Sequence, residues 1–334
     1  MAAVTTLPVP LNSHPDEFPS SAIEEEACVT SKTLDIIHER RKGGDTMLFN
    51  EFFEVRMCGV DYSTFLVGIG FQGGVFGLVD EFPGAKGRSG VVKVFKERAT
   101  AMLEHHIIGR LAACPHVVDV LSICSDGPCS CIVMEDAGAC LYDVRHTILD
   151  EAAVVCSQML IGLRHMHEQH VAWRDVKLDN MLWNKQTRCV KFCDMGFAHV
   201  MTPEERETRT LTTFCGSLSY AAPEIMKKQP FNGKEVDAWS VIVTIIAFLF
   251  GLLPFHRASK ECPMFRNFVD SMERGDTTPY EWLERRVVGS IEDVADVSVR
   301  TEDVAAWLPH IVNGLMVVDP SKRRSISRAT VSCE

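Results

Sequence analysis

The stretch from Trp173-Arg174-Asp175-Val176-Lys177-Leu178-Asp179-Asn180 to Asp194-Met195-Gly196 constrains this chain more than any other. It spaces two carboxylates, a lysine and a carboxamide in a pattern with a chemical use. Asn180 and Asp194 offer the hard oxygen donors that Mg2+ prefers, and Lys177 sets a cation two residues from Asp175. Taken singly, aspartates and lysines in loops are usually just solvated. What the stretch does therefore depends on what the rest of the chain places around it.

With 334 residues the chain can hold one large domain or two ordinary ones, and a 46% hydrophobic composition suffices for a substantial core. Its net charge of −11 argues against nucleic acid and against an anionic membrane surface, and favours basic partners. Met1 to Pro10 shows no basic leader of the signal-peptide kind. The longest apolar run, Val241 to Phe250 continuing through Gly251 to Phe255, is too short for a bilayer and reads as a buried helix. Thirteen cysteines, an odd number scattered along the chain, suit the reduced thiols of an intracellular protein, cytoplasmic or nuclear, better than a disulfide framework. Cys124, Cys129 and Cys131 could form a zinc half-site, but no second pair lies nearby to complete four ligands. His165, His167 and His170 end an amphipathic stretch and read as surface or packing residues.

Residues 1 to 22, rich in Pro, Ser and Thr without apolar period, read as a flexible leader, and the charged segment Ala22 to Lys42 suits a helix. Its Glu24-Glu25-Glu26 and Arg40-Arg41-Lys42 runs read as solvated faces, with nuclear import the alternative for the basic one. From Phe52 to about Val133 short β-branched and aromatic runs broken by glycine predict a β-rich segment. Within it Gly68-Ile69-Gly70-Phe71-Gln72-Gly73-Gly74-Val75 is a G-x-G-x-x-G, which also marks dinucleotide folds and ordinary turns. The strand-like Phe76 to Val79 that follows favours a hairpin folded over phosphates, where glycines let backbone N–H groups approach closely. In Val91-Val92-Lys93-Val94 the lysine is either a snorkelling surface residue or a phosphate ligand held by a carboxylate, and Glu104, in the helical stretch Ala99 to Leu111, is the candidate partner. Cys131 to Asp136 reads as a buried strand. Leu149 to His167 carries Val154, Val155, Met159, Leu160, Leu163 and Met166 on one helical face and delivers the chain to the Trp173 stretch.

A glycine loop, a strand lysine, R-D-x-K-x-x-N and D-x-G, followed by Thr213-Phe214-Cys215-Gly216-Ser217 and Ala222-Pro223-Glu224, occur in the order that resembles a eukaryotic-type protein kinase. The resemblance implies an α+β, bilobal kinase fold over about 55–330 after a leader of 1–50: a small β-rich lobe at 55–134, a hinge at 135–138 and a mostly helical lobe at 139–330. ATP and Mg2+ would lie between the lobes. Asp175 would orient the acceptor hydroxyl and take its proton, Lys177 would neutralise charge on the moving phosphoryl group, and Asn180 and Asp194 would hold the metal. Lys93, paired with Glu104, would hold the α and β phosphates, although the interval 104 − 93 = 11 is short and implies a helix that has lost a turn. Val67, Gly68, Gly70, Gly73 and Val75 would cover the nucleotide. Glu135 and Ala137 would offer main-chain contacts to adenine, with Met134 guarding the inner pocket; a plain core strand predicts the same burial.

An aromatic residue before Arg-Asp, then Lys-Leu-Asp-Asn and Thr-Phe-Cys-Gly, resembles the AGC serine/threonine kinases, protein kinase C among them. That likeness implies Thr213 as an activation-loop phosphosite whose phosphate pairs with Arg174, unless Thr213 is an ordinary loop residue. It further implies that Asp237 bonds the catalytic-loop backbone and that Glu224 forms a buried ion pair with Arg323. Three features depart from the pattern: Trp173 stands for a histidine or tyrosine, Met195 for a phenylalanine, and no phenylalanine-rich extension follows Arg323. AGC is therefore nearest kin rather than membership. The implied activity is transfer of the γ-phosphoryl of ATP to Ser or Thr of proteins, and Asp179 suggests a basic residue near the acceptor. The alternative is a pseudokinase, a nucleotide-binding or scaffolding module without turnover.

Overall fold

A computed structural model describes residues 29, 31–42, 52–57, 60–70, 72–79, 90–124, 130–291, 304 and 306–329. Helix α1 (Ser31–Lys42) precedes strands β1 (Phe52–Met57), β2 (Val60–Ile69), β3 (Gly73–Leu78) and β4 (Gly90–Phe95), helix α2 (Arg98–Arg110), and strands β5 (Val120–Cys124) and β6 (Ser130–Glu135). The strands form one antiparallel sheet in the order β1-β2-β3-β4-β6-β5. Period-two alternation sets its faces: on β2, Tyr62, Thr64 and Leu66 are buried while Asp61, Ser63 and Phe65 point outward. Helix α1 covers one face, where Leu34 and Ile37 join Leu66, Phe76, Val92 and Val94 in a small core. The predicted helix thus begins at Ser31 among the described residues, and most of the predicted leader lies outside them. Helix α2 buries Ala101, Glu104, Ile107 and Ile108 on one side and packs against β4, β5 and β6.

Beyond the sheet the chain makes β7 (Ala139–Cys140), α3 (Leu141–Val144), α4 (Ala152–Glu168), β8 (Val171–Ala172), β9 (Met181–Asn184), β10 (Cys189–Phe192) and β11 (His199–Val200). It continues through α5 (Pro203–Glu207), α6 (Pro223–Met226), α7 (Gly233–Phe250), α8 (Pro263–Arg274), α9 (Pro279–Ile291) and α10 (Leu308–Leu315). The fold is the expected bilobal α+β one, a β-rich lobe joined to a largely helical lobe. Gly138 makes the turn between them at φ 103, and a Cβ there would meet the Trp183 carbonyl oxygen at 2.3 Å, so the position admits no side chain.

Helix α7 accounts for the long apolar run. Residues 241–250 are all buried, so the run is hydrophobic all round because α7 is the axis of the larger lobe. Asn232 caps its start by accepting from the Lys234 N–H, and Gly251, at φ 67, ends it. Among the described residues no helix is long and apolar enough to cross a membrane. Cys124 and Cys131 face each other across the β5–β6 pair as free thiols, and Cys129 lies outside the described residues. Among the described residues no three His, Cys, Asp or Glu side chains cluster as a metal site.

Candidate active site

The two lobes meet at Lys93. It sits in β4 directly across from Val75 of β3, and so on the same face of the sheet. Its Nζ lies 2.7 Å from Glu104 Oε2 and 3.0 Å from Asp194 Oδ1. The eleven-residue interval from Lys93 to Glu104 is absorbed in the link between β4 and α2, which consists of Lys96 and Glu97. Burial alone would lower the lysine, but the Glu104 and Asp194 carboxylates outweigh it and hold Lys93 above its ordinary value, hence charged. At Asp194 burial again opposes ionisation, and the Lys93 ammonium, with hydrogen bonds from Lys93 and the Gly196 N–H, brings the carboxyl below its ordinary value. Asp194 keeps 44% of its side chain exposed, so an ionised oxygen opens on the cleft between the lobes.

The segment from Trp173 to Asn180 is fixed from beneath by Asp237 of α7. This fully buried carboxylate accepts from the Trp173 N–H at 2.8 Å, the Arg174 N–H at 2.8 Å and His167 Nε2 at 2.9 Å. These bonds hold Arg174 at φ 65, a left-handed conformation costly for a non-glycine residue; Asp194, at φ 60, shares it. Strain of that kind persists only where surrounding contacts over-determine it. Trp173 stacks on Phe192 with centroids 4.6 Å apart, and its Nε1 donates to the Asp194 carbonyl at 3.1 Å. The tryptophan thus ties the Trp173 segment to the Asp194 turn, and Met195 is fully buried in the same core.

Asp175 is 5% exposed and surrounded by donors. Its Oδ1 accepts from the Ser217 N–H at 3.0 Å and from Ser217 Oγ at 3.1 Å, while Oδ2 accepts from Asn180 Nδ2 at 2.9 Å and pairs with Lys177 Nζ at 2.8 Å. Lys177 Nζ also donates to Ser217 Oγ at 3.0 Å. The bond from Ser217 to Asp175 spans 42 residues, a separation no local pattern reveals. Because Asn180 commits its amide nitrogen to Asp175, its Oδ1 is the atom left to meet a cation.

Around this centre the predicted residues divide. Gly68 and Gly70 face open space, whereas a Cβ on Gly73 would meet the Val94 carbonyl oxygen at 1.9 Å, so Gly73 is small for strand pairing rather than for phosphate approach. Val67 is exposed beside a register shift between Leu66 and Gly68. Ala137 and Met134 are buried; the Glu135 N–H is committed to the Asp119 carbonyl at 3.0 Å, and its side chain pairs with Lys191 at 2.7 Å. Thr213 is exposed, while Arg174 Nε donates to the Phe197 carbonyl at 2.8 Å; among the described contacts none joins the two. Asp179 is exposed at the rim. Glu224 and Arg323 form a buried two-bond ion pair at 2.7 and 3.0 Å, with the guanidinium 5.2 Å from the Trp239 ring.

The donor set suits Mg2+: one ionised carboxylate and one amide oxygen are hard ligands, and a cation that keeps several waters and binds phosphates needs few protein groups. A model of the protein kinase domain matches residues 66–332. The serine/threonine-protein kinase ppk25 of Schizosaccharomyces pombe is 29% identical over 228 residues, covering 67% of this chain and 47% of that protein. The carbon catabolite-derepressing protein kinase of Candida tropicalis is 33% identical over 150 residues, 44% of this chain and 23% of that one. The mitogen-activated protein kinase kinase kinase dlk-1 of Caenorhabditis elegans is 32% identical over 153 residues, 44% of this chain and 15% of that one. This chain spans less than half the length of each of these relatives, and none of their names supports the narrower AGC expectation. Matched by that model over most of its length, the chain belongs to the protein kinase domain family.

Proposed function

We propose that the chain is a serine/threonine protein kinase that transfers the γ-phosphoryl group of ATP to hydroxyls of protein substrates. The observation that carries this reading is the convergence of Lys93, Glu104 and Asp194 at one point between the lobes. A charged lysine buried against two carboxylates is an arrangement a nucleotide phosphate can enter, exchanging one anionic partner for another. Phosphoryl transfer asks mainly for positioning and charge neutralisation, and each remaining group has a place in it.

Asp175 orients the acceptor hydroxyl and receives its proton, and Lys177, bonded to the same carboxylate, meets charge on the phosphoryl oxygens. Asp194 and Asn180 Oδ1 hold Mg2+, which when bound neutralises charge on the nucleotide phosphates. Gly68, Gly70, Val67 and Val75 lie over the nucleotide, and Ala137 offers main-chain groups to adenine. At Glu135 the committed N–H leaves the carbonyl for the base. Asp179 suits a basic residue near the acceptor. The Thr213-Phe214-Cys215-Gly216 run supports AGC kinship and a Thr213 phosphate directed at Arg174, and the nine described free cysteines suit a reducing, intracellular setting.

The pseudokinase alternative is disfavoured by the formed Lys93–Glu104 pair and by an ionised Asp194. Substituting Asp175→Asn keeps the side chain's size but removes the base, and turns one acceptor oxygen into an amide nitrogen that faces a donor. Phosphorylation of a serine/threonine peptide library should fall by at least about 100-fold with Mg-ATP binding retained. Undiminished turnover in that variant would refute the assignment, and Mg-ATP binding by wild type without transfer to any peptide would favour the pseudokinase.

A further inference from the structure

The hairpin formed by β2 and β3 is gripped by contacts that the roles above do not use. At its tip Gln72 Nε2 donates to the Gly196 carbonyl at 2.8 Å, joining residues 124 apart in sequence. The approach is so close that a Cβ on Gly196 would meet Gln72 Oε1 at 1.7 Å. Among the described residues the positive-φ glycines are Gly138, Gly216, Gly251 and Gly275, so Gly196 lacks a side chain for this contact and not for a left-handed turn. The backbone of the tip is held as well. The Lys96 N–H donates to the Gln72 carbonyl at 3.0 Å, and the Gly70 N–H to the Gly73 carbonyl at 2.9 Å.

Helix α1 supplies the outer grip. Arg41 Nη1 donates to the Ile69 carbonyl at 2.9 Å, and Asp35 pairs with the ammonium of Lys96. Leu34 is buried under the hairpin, close enough that a Cβ on Gly74 would come within 2.9 Å of its Cδ2. The helix therefore touches the strand entering the hairpin, its fourth glycine, and the residue whose backbone holds the tip.

We propose that Gln72 is a positioning residue that latches the glycine hairpin onto the Asp194–Gly196 turn, and that α1 sets the height at which the latch closes. The proposal rests on the reading that nucleotide phosphates lie beneath this hairpin. A closed latch retains the phosphates and must open for nucleotide exchange, so it acts on ATP and ADP but not on adenosine. It leaves the peptide's own binding surface untouched.

The test uses the full chain, with Mg-ATP, Mg-ADP and adenosine titrated calorimetrically and KM measured separately for ATP and for an acceptor peptide. Gln72→Met keeps the length and loses the donor. It should weaken ATP and ADP about five-fold, leave adenosine and peptide KM unchanged, and leave the melting temperature unchanged. Asp35→Ala with Arg41→Ala should reproduce part of that loss. Gly196→Ala should weaken ATP in the wild-type background and much less in a Gln72→Ala background, because the displaced side chain is then gone. An unchanged ATP constant in Gln72→Met, with wild-type binding intact, overturns the latch alone. An equal loss for adenosine overturns it too, by showing a general disturbance of the lobe. Absence of any ATP binding by the wild type overturns the nucleotide reading and the latch with it.

Discussion

At the scale of single residues, Asp175 shows how completely one carboxylate can be orientated. Both oxygens are occupied, one by Ser217 and the other by Asn180 and Lys177. Asp175 is thereby tied to the segment after Thr213. Ser217→Ala removes the hydroxyl that bridges Asp175 and Lys177 but keeps the backbone N–H bond. Turnover should drop about ten-fold with the ATP KM unchanged, and Ser217→Thr should restore it. A rise in ATP KM with unchanged kcat would contradict that placing. The types and spacing of Asp175, Lys177, Asn180 and Asp194 were readable from the sequence because they depend on local order along one loop and one turn. Ser217 and Gln72 were not, since their partners lie 42 and 124 residues away and serine and glutamine carry no charge to announce a role.

At the scale of elements, α7 organises the larger lobe from its own interior. Its buried Asp237 pins the Trp173 segment, and Glu235 contributes a carbonyl to Arg323 at 2.7 Å. Arg323 links this helix to the start of α6 through Glu224, the pair being buried on both sides. Arg323→Met leaves the Glu224 carboxylate buried without its cation and should cost about 3–5 kcal/mol in urea unfolding. Adding Glu224→Leu should recover part of the loss, because the penalty lies in the stranded charge; a double variant no more stable than the single one would contradict this. A one-face helical period made α4 legible and an unbroken apolar run made α7 so, though the run from Leu149 opens with a 3₁₀ turn and the α-helix begins at Ala152. The cap by Asn232 and the stop at Gly251 belong to the same local code.

At the scale of the whole molecule, the lobes are joined at the cleft by charge as well as by the hinge, with Asp194 of one lobe against Lys93 of the other. The Asp194 carboxyl lies below its ordinary 3.8, so its contribution is complete above that value and is lost as pH falls through the lower folded value. Melting temperatures of wild type and Asp194→Asn should therefore differ at pH 7 and converge on acidification below about pH 4. A constant gap over that range would show that the bridge does not stabilise the fold. The sequence alone determined the residue types and spacing along the loop, the alternation of β2 and the buried axis of α7, because these follow from side-chain type and order along the chain, whereas the bilobal class was legible through the resemblance that the order of its motifs carries. Tertiary structure alone decided that Gly73 is small for a neighbouring carbonyl and Gly196 for a glutamine, that Trp173 binds the Asp194 turn, and that α1 grips the hairpin. Such contacts depend on which distant surfaces meet, and that is settled only when hydrophobic burial has brought the layers together.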